Sequence, residues 1–364
     1  MAKHRSLRDF DWTLIALTLA ICAMGVLQIY SATHDIPAWH DSWWKQVVWI
    51  SAGLALMWVA TLVDYHTMMA RSVILYALAI VGLVATFVMG KTVYGARRWI
   101  GVGGFHLQVS EFVKLVIVLL VARYLSDRKG DRALEGRDLL KLGGLVGAPL
   151  ILVMAQPDLG TSLTYLPILG IGAFLAGLRW KFVVVTVLLL AVGVPIGWHF
   201  LKDYQRDRLI TFIDPMHDPK GRGYQVIQSK IAVGQGGIWG RGVTRGTQTQ
   251  LRFLPMAPTD FVFSAFAEEH GFVGVVVALG LYFLLLMQVV QNAQTAPDRA
   301  GLYICMGVGA LLLFHVLINV GMVVGRMPVT GIPLPLMSAG GSNIMSMFLM
   351  LGLVNNVRLR RFVN

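Results

Sequence analysis

Charge is what this 364-residue chain has least of: Asp, Glu, Lys and Arg make up 14% of it, against about a quarter in an ordinary soluble domain. With 56% hydrophobic residues and a mean hydropathy of +0.66, that scarcity excludes a water-soluble globule and marks an integral membrane protein. Cysteine is nearly absent. Cys22 and Cys305 both sit inside apolar runs, which excludes a disulfide framework and a thiolate metal centre and leaves two small packing residues. Fixed-period repeats and low-complexity tracts are missing, as are the matched broken helices in two halves that would signal a secondary transporter. The glycine run Gly234 to Gly240 lacks the βαβ context of a dinucleotide fingerprint, and no nucleic-acid partner is expected.

What is there is apolar and long. Spans need about 20 apolar residues to cross a hydrocarbon core of about 30 Å. Ten candidates start near Trp12, Val47, Ser72, Gln108, Leu139, Thr161, Phe182, Phe261, Gly301 and Gly341. The first follows a basic leader, but its apolar run is longer than that of a signal peptide, and it reads as a retained helix. The expected fold is therefore an all-α polytopic membrane protein. It is a single integral membrane domain, 1–364, with ten transmembrane helices and a long extracytoplasmic loop, 201–260, between helices 7 and 8.

Orientation follows from Lys and Arg in short loops and tails. An even span count puts both termini on one side, and that side carries 16 of these residues against five on the other, with the long segment left out. Both termini are thus expected in the cytoplasm. The long segment adds Lys202, Arg206, Arg208, Lys220, Arg222, Lys230, Arg241, Arg245 and Arg252 against five aspartates, a basic surface for phosphate-bearing ligands or for anionic lipid headgroups. Within it, Tyr224 to Val233 is expected to form a short amphipathic helix with Tyr224, Ile227 and Ile231 on one face, stopped by the glycines that follow.

Asp260, at the brink of an apolar run, is the leading candidate for chemistry. A carboxylate there can act as general base on a hydroxyl, tuned by desolvation or by a cation such as Arg252. The Pro258-Thr259-Asp260 pattern is equally an N-cap signature, and one residue can serve both purposes. Glu111 and Lys114, one turn apart, form an intramembrane pair that is either functional or a buried structural bridge. Asp158 precedes Thr161 and Ser162, where capping is the simplest account and a sugar- or cation-binding carboxylate the functional one. Arg98 with Trp99, in the glycine-rich stretch Lys91 to Leu107, reads as an interfacial loop anchor or as a sugar and phosphate contact. Glu268, Glu269 and His270 form an unusual cluster two turns into a span, and without a second histidine at ligand spacing they make no zinc site. The last outer loop is expected over Pro328 to Ser342.

Several stretches taken together resemble the SEDS family (shape, elongation, division and sporulation), polytopic peptidoglycan glycosyltransferases of the bacterial cytoplasmic membrane. They are Gly95 to Ile100, Ser110-Glu111 with Lys114, Gln156 to Thr161, Gly223 to Gln225, Gln228 to Ala232, Gly246 to Gln248, Phe253 to Pro255, Thr259 to Phe261, Ala267 to Gly271 and Gly331 to Pro335. The Gln228 to Ala232 and Gly246 to Gln248 stretches are closer to the elongation branch than to the division branch. Where the family usually carries Glu and His between Leu-Pro and Thr-Asp, this chain has Met256 and Pro258; Val109 and Ala339 also depart from it.

The resemblance implies that Asp260 is the catalytic acid of an inverting glycosyltransferase that polymerises lipid II on the outer face of the membrane, in cell elongation and shape control. It places Arg98, Trp99, Glu111, Lys114 and Asp158 around the cavity, and the basic segment, Lys230 and Arg252 included, supplies candidates for the pyrophosphate. It implies a class B penicillin-binding protein, the transpeptidase, as partner, beside lipid II, a lipid-linked glycan strand and membrane lipids. A divalent cation, Mg or Mn, is allowed without a dedicated protein cage, and no protein metal ligand is assigned. The alternative is a flippase for lipid II or another lipid-linked glycan, with Glu111, Lys114 and Asp158 lining the headgroup path.

Overall fold

The computed structural model describes residues 10–37, 39–93, 96–102, 105–128, 133–199, 203–218 and 221–361. Lys202 and Lys220 lie outside the described residues, as does part of the basic leader. A helix begins within a few residues of each of the ten expected starts. These are α1 (Trp12–Thr33), α2 (Ser42–Leu62), α4 (Ser72–Met89), α5 (Val109–Ser126), α6 (Gly136–Ala155), α7 (Leu159–Leu163) continued by α8 (Tyr165–Leu175), α9 (Trp180–Trp198), α13 (Val262–Gln294), α14 (Arg299–Val323) and α15 (Gly341–Arg360). The shorter helices α3 (Tyr65–Ala70), α10 (Asp203–Ile213), α11 (Arg222–Gln235) and α12 (Thr247–Gln250) complete the set. Six of them, α1, α2, α4, α6, α13 and α14, are long and apolar enough to cross a membrane. The buried α5 and α15 carry too much polarity for that description, with Glu111, Lys114 and Arg123 on one and Asn343, Asn355 and Asn356 on the other.

Local chemistry sets several starts. Asp11, Asp158 and Asp298 each accept a hydrogen bond from a backbone N–H in the first turn of α1, α7 and α14, satisfying donors that a helix start leaves unpaired. The expectation of an all-α chain needs one correction. Lys91 to Leu107 is not an irregular loop but a three-stranded antiparallel sheet, β1 (Lys91–Val93), β2 (Ala96–Val102) and β3 (Phe105–Leu107), in the order β1-β2-β3. Its register pairs Thr92 with Arg97 and Gly101 with His106. Branched and aromatic residues around short glycine-containing connections favour hairpins over coil.

A second correction concerns α11. Its buried face runs through Val226, Ser229 and Ala232, while Ile231 is exposed. Ser229 Oγ sits 2.7 Å from Ser264 Oγ of α13 and donates to the Val323 carbonyl at 2.8 Å, so a small polar residue faces the bundle where an apolar stripe was expected. The amphipathic pattern pointed the wrong way because tertiary hydrogen bonding outweighed side-chain hydropathy.

Helix α13 is broken at Gly271, where φ is +64° and ψ is −165°. Two intrahelical bonds are lost there, and the stretch after α11 replaces each with two. The Phe272 and Val273 N–H groups donate to Gly237 and Ile238, while the stranded carbonyls of Glu268 and Glu269 accept from Arg241 and Gly242 at 3.0 and 2.9 Å. Irregular backbone is tolerated at depth only when protein satisfies it in this way. Glycine is required for the approach: a Cβ on Gly240, φ +81°, would stand 2.1 Å from the Glu269 carbonyl oxygen.

Candidate functional site

Asp260 lies one residue ahead of the α13 N-cap position, which Phe261 occupies without a side-chain cap. The segment leading to it is held from the other side by the last expected loop, 328–342, whose Ile332, Leu334, Leu336 and Met337 are completely buried. Ser338 Oγ donates to the Thr259 carbonyl at 2.7 Å and the Ala339 N–H to the Pro258 carbonyl at 2.9 Å. Asn319, on α14, uses its Nδ2 to bond both the Asp260 carbonyl, 3.0 Å, and the Ile332 carbonyl, 2.9 Å. The carboxylate stands beside Gly331, where an added Cβ would lie 3.5 Å from Asp260 Oδ2. Met256 and Leu336 are held at positive φ, +51° and +66°, a conformation non-glycine residues keep only where surrounding contacts impose it.

Asp158 caps α7, as expected, and also meets side chains from neighbouring segments. Its Oδ1 accepts from the Thr161 N–H at 3.2 Å, the α7 cap, and stands 3.5 Å from Arg98 Nη1. Its Oδ2 accepts from Thr161 Oγ1 and from Gln108 Nε2 at 3.0 and 2.9 Å. Arg98 also donates to the Pro157 carbonyl. The α7 turn packs on the same buried loop, since a Cβ on Gly160 would meet the Thr330 carbonyl oxygen at 2.5 Å. Successive residues of a strand point to opposite faces. Trp99, half-buried on β2, therefore turns away from the side on which Arg98 works.

Glu111 and Lys114 are fully buried and joined by two bonds of 2.9 Å from one ammonium to both carboxylate oxygens. Asn343 Nδ2 adds a donor to Glu111 Oε2 at 2.9 Å. The third ammonium hydrogen faces His315 Nε2 at 3.3 Å, and His315 Nδ1 lies 3.1 Å from the Pro333 carbonyl. A carbonyl only accepts, so the network assigns the proton to Nδ1 and leaves Nε2 to accept from Lys114. Lys114 thus reaches the loop beside Asp260 through His315, Glu111 bonds Asn343 just past that loop, and Asp158 lies in a turn that packs on it at Gly160.

Lys230 and Arg252 take other neighbours. Lys230 lies across Gly325 just beyond α14, and Arg252 donates to the Asp35 carbonyl at 2.9 Å. Glu268 receives the Gln248 and Thr249 N–H groups at 2.7 and 3.1 Å, and Glu269 receives Ser31 Oγ at 2.6 Å, so both face the bundle interior and tie down α12 and α1. The residues that sequence reasoning missed are His315, Asn319, Ser338 and Asn343. A signal existed for two of them: His315 and Asn319 are polar residues four apart inside an apolar span, which is costly in lipid unless they face protein.

These features define a polytopic helical membrane protein with a carboxylate held beside a buried, irregular loop. The family model described as "Cell cycle protein", FtsW/RodA/SpoVE, matches residues 11–361, and the chain belongs to that family. It is 35% identical to "Peptidoglycan glycosyltransferase RodA" of Treponema pallidum, covering 99% of this chain and all of that one. It is 38% identical to "Peptidoglycan glycosyltransferase MrdB" of Escherichia coli K12, covering 96% and 94%. Among solved structures, a chain of an assembly described as "Structural coordination of polymerization and crosslinking by a peptidoglycan synthase complex" superposes with a TM-score of 0.82 at 35% identity, covering 98% of this chain and 99% of that one. The rod shape determining protein RodA of Thermus thermophilus gives 0.73 at 29%, covering 97% and 98%.

Proposed function

We propose that this protein is a peptidoglycan glycosyltransferase of the RodA type, which polymerises lipid II into glycan strands in cell elongation and shape control. Full-length relatives bearing that activity in their names support the assignment. The observation that carries it from the residues is that loop 328–342 bonds the Asp260 segment directly, meets the Glu111–Lys114 pair through His315, and packs against the turn of Asp158 at Gly160.

The chemistry follows. An acceptor hydroxyl attacks the anomeric carbon of the donor sugar while the bond from that carbon to the lipid pyrophosphate breaks on the opposite face, so the configuration inverts. Asp260 takes the hydroxyl proton as general base. Negative charge grows on the departing pyrophosphate, which calls for cations. Arg98 is the cation bound into the cluster, and Lys230 and Arg252 belong to the outer segment that a lipid pyrophosphate would meet. Trp99 offers its ring to a sugar from the other face of β2. Arg98 Nε and Asn343 Oδ1 are buried polar atoms with no protein partner, the kind of group a bound sugar or phosphate satisfies. A divalent cation, if bound, would neutralise charge on the departing pyrophosphate; among the described residues no three His, Cys, Asp or Glu side chains gather as a cage for one.

The same reading sets the chain as a single membrane domain with ten crossing helices, both termini in the cytoplasm of a bacterial inner membrane, and 201–260 facing outward, where lipid II is consumed. Its partner is a class B penicillin-binding protein, which would crosslink the strands this protein polymerises; likeness to a chain of a synthase complex supports that pairing. The test is purified protein with labelled lipid II and no other polymerase. Wild type is expected to make polymer and Asp260→Asn none. Polymer from both sinks the base assignment, and lipid scrambling without polymer from wild type indicates a transporter.

A further inference from the structure

Besides Ser338 and Ala339 of the last loop, the groups that hold the backbone at Asp260 lie on one stripe of α14. His315 and Asn319 stand one turn apart, both completely buried. Asn319 spends both Nδ2 hydrogens on carbonyls, one of them Asp260's own and the other that of Ile332. His315 spends its Nδ1 hydrogen on the next carbonyl, Pro333, and offers Nε2 to Lys114. Lys114 in turn has three hydrogens and three acceptors, the two oxygens of Glu111 and His315 Nε2. The bonds form one unbroken path from the Glu111–Lys114 pair, through His315 to Pro333, along one peptide to Ile332, and through Asn319 to the backbone of Asp260.

We propose that Asn319 and His315 are positioning residues, which set where the Asp260 carboxylate stands and make the buried Glu111–Lys114 pair a brace for the base instead of a substrate contact. The proposal rests on the glycosyltransferase reading above. Its physical content is that a catalytic group displaced by about 1 Å loses on the order of 100-fold in rate while substrate binding is spared. Three features favour it over generic packing. Asn319 touches the backbone of the catalytic residue itself; the two carbonyls it joins belong to segments about 70 residues apart in the chain, 260 and 332; and all donors of the path are used, so no member can turn without stranding another.

Isosteric substitutions separate the bonds. In Asn319→Asp the donor nitrogen becomes an oxygen, which removes both bonds to the carbonyls. In His315→Asn the amide nitrogen falls where Nδ1 was, so the Pro333 bond is kept and the Lys114 bond lost; in His315→Gln the terminal amide falls near Nε2, so the reverse holds. Full-length protein is assayed with lipid II as in the test of Asp260→Asn. Asn319→Asp is expected to lower kcat by about 10-fold or more with KM within about two-fold of wild type. His315→Asn is expected to keep most of kcat and His315→Gln to lose it, again with KM held. A folded Asn319→Asp with wild-type kcat, or the same kcat from both His315 variants, overturns the assignment, as does a rise in KM that accounts for the loss. Should Asn319→Asp fail to fold, the His315 pair decides alone. Polymerisation by wild type but not by Asp260→Asn keeps the underlying reading intact whichever way the α14 variants fall. No polymer from wild type removes that reading and this assignment together.

Discussion

Asp158 and Asp260 are the same side chain at nearly the same local position, just ahead of a helix, and the molecule uses them differently. Asp158 caps α7 and at the same time receives Arg98 and Gln108. Asp260 stands one residue ahead of the cap position, and Asn319 bonds its carbonyl. Glu111 and Lys114 are a buried pair with all three ammonium hydrogens used, so losing one partner alone differs from losing both. Glu111→Gln leaves an ammonium in the core with its charge unmatched and is expected to destabilise the protein by about 3–5 kcal/mol. Glu111→Gln with Lys114→Met should recover much of that stability without recovering activity. Thermal unfolding in detergent checks both, and a double variant no more stable than the single one would show that charge imbalance is not the cause.

At the scale of elements, the break in α13 and the stretch that fills it form one unit. Gly240→Ala would drive a Cβ into the Glu269 carbonyl at a backbone angle that non-glycine residues rarely adopt. A loss of about 2 kcal/mol or more is expected. Gly280 lies in the same helix with nothing within 4 Å of an added Cβ, so Gly280→Ala should be neutral or gain up to about 1 kcal/mol. Limited proteolysis between residues 236 and 250 should rise in the first variant and stay unchanged in the second. The helix starts were legible in the sequence because hydropathy and capping are local. The sheet over Lys91 to Leu107 was not, since short strands carry too few residues for a period, and the break at Gly271 was invisible because a lone glycine in an apolar run is ordinary there.

Across the described residues, two groups of polar ties stand apart from the Glu268–Glu269 cluster. One is the loop 328–342 with its site; the other joins the ends of helices far from it. Arg358 meets the buried Asp11 at 3.0 Å, and Arg360 meets Asp64 at 3.2 Å beside His66 and Asp298. Partial burial alone would raise the Asp64 carboxyl, but the His66 N–H and the Arg360 guanidinium outweigh it and hold the group below its ordinary 3.8. A depressed folded-state pKa means that Asp64 stabilises the fold fully above about pH 4 and loses that contribution as pH falls further. The stability gap between wild type and Asp64→Asn should therefore narrow as pH falls below the ordinary carboxyl range. A gap that does not narrow on acidification would show that the lost hydrogen bonds, and not the charge, were responsible.

The sequence by itself determined that this is a membrane protein, where its helices begin, and which acids were worth attention, because burial in lipid and the needs of a helix terminus act on residues a few positions apart. It also carried the family likeness, spread over motifs too weak singly to be read. Only the tertiary structure decided that the last loop is buried, that Arg98 and Trp99 lie on opposite faces of β2, and that His315 and Asn319 bond the carbonyls of that loop and of Asp260. Lys114 and His315 are 201 positions apart, and Asn319 reaches Asp260 across 59. A hydrogen bond depends on where two groups meet in space, and at such separations only the packed fold specifies that.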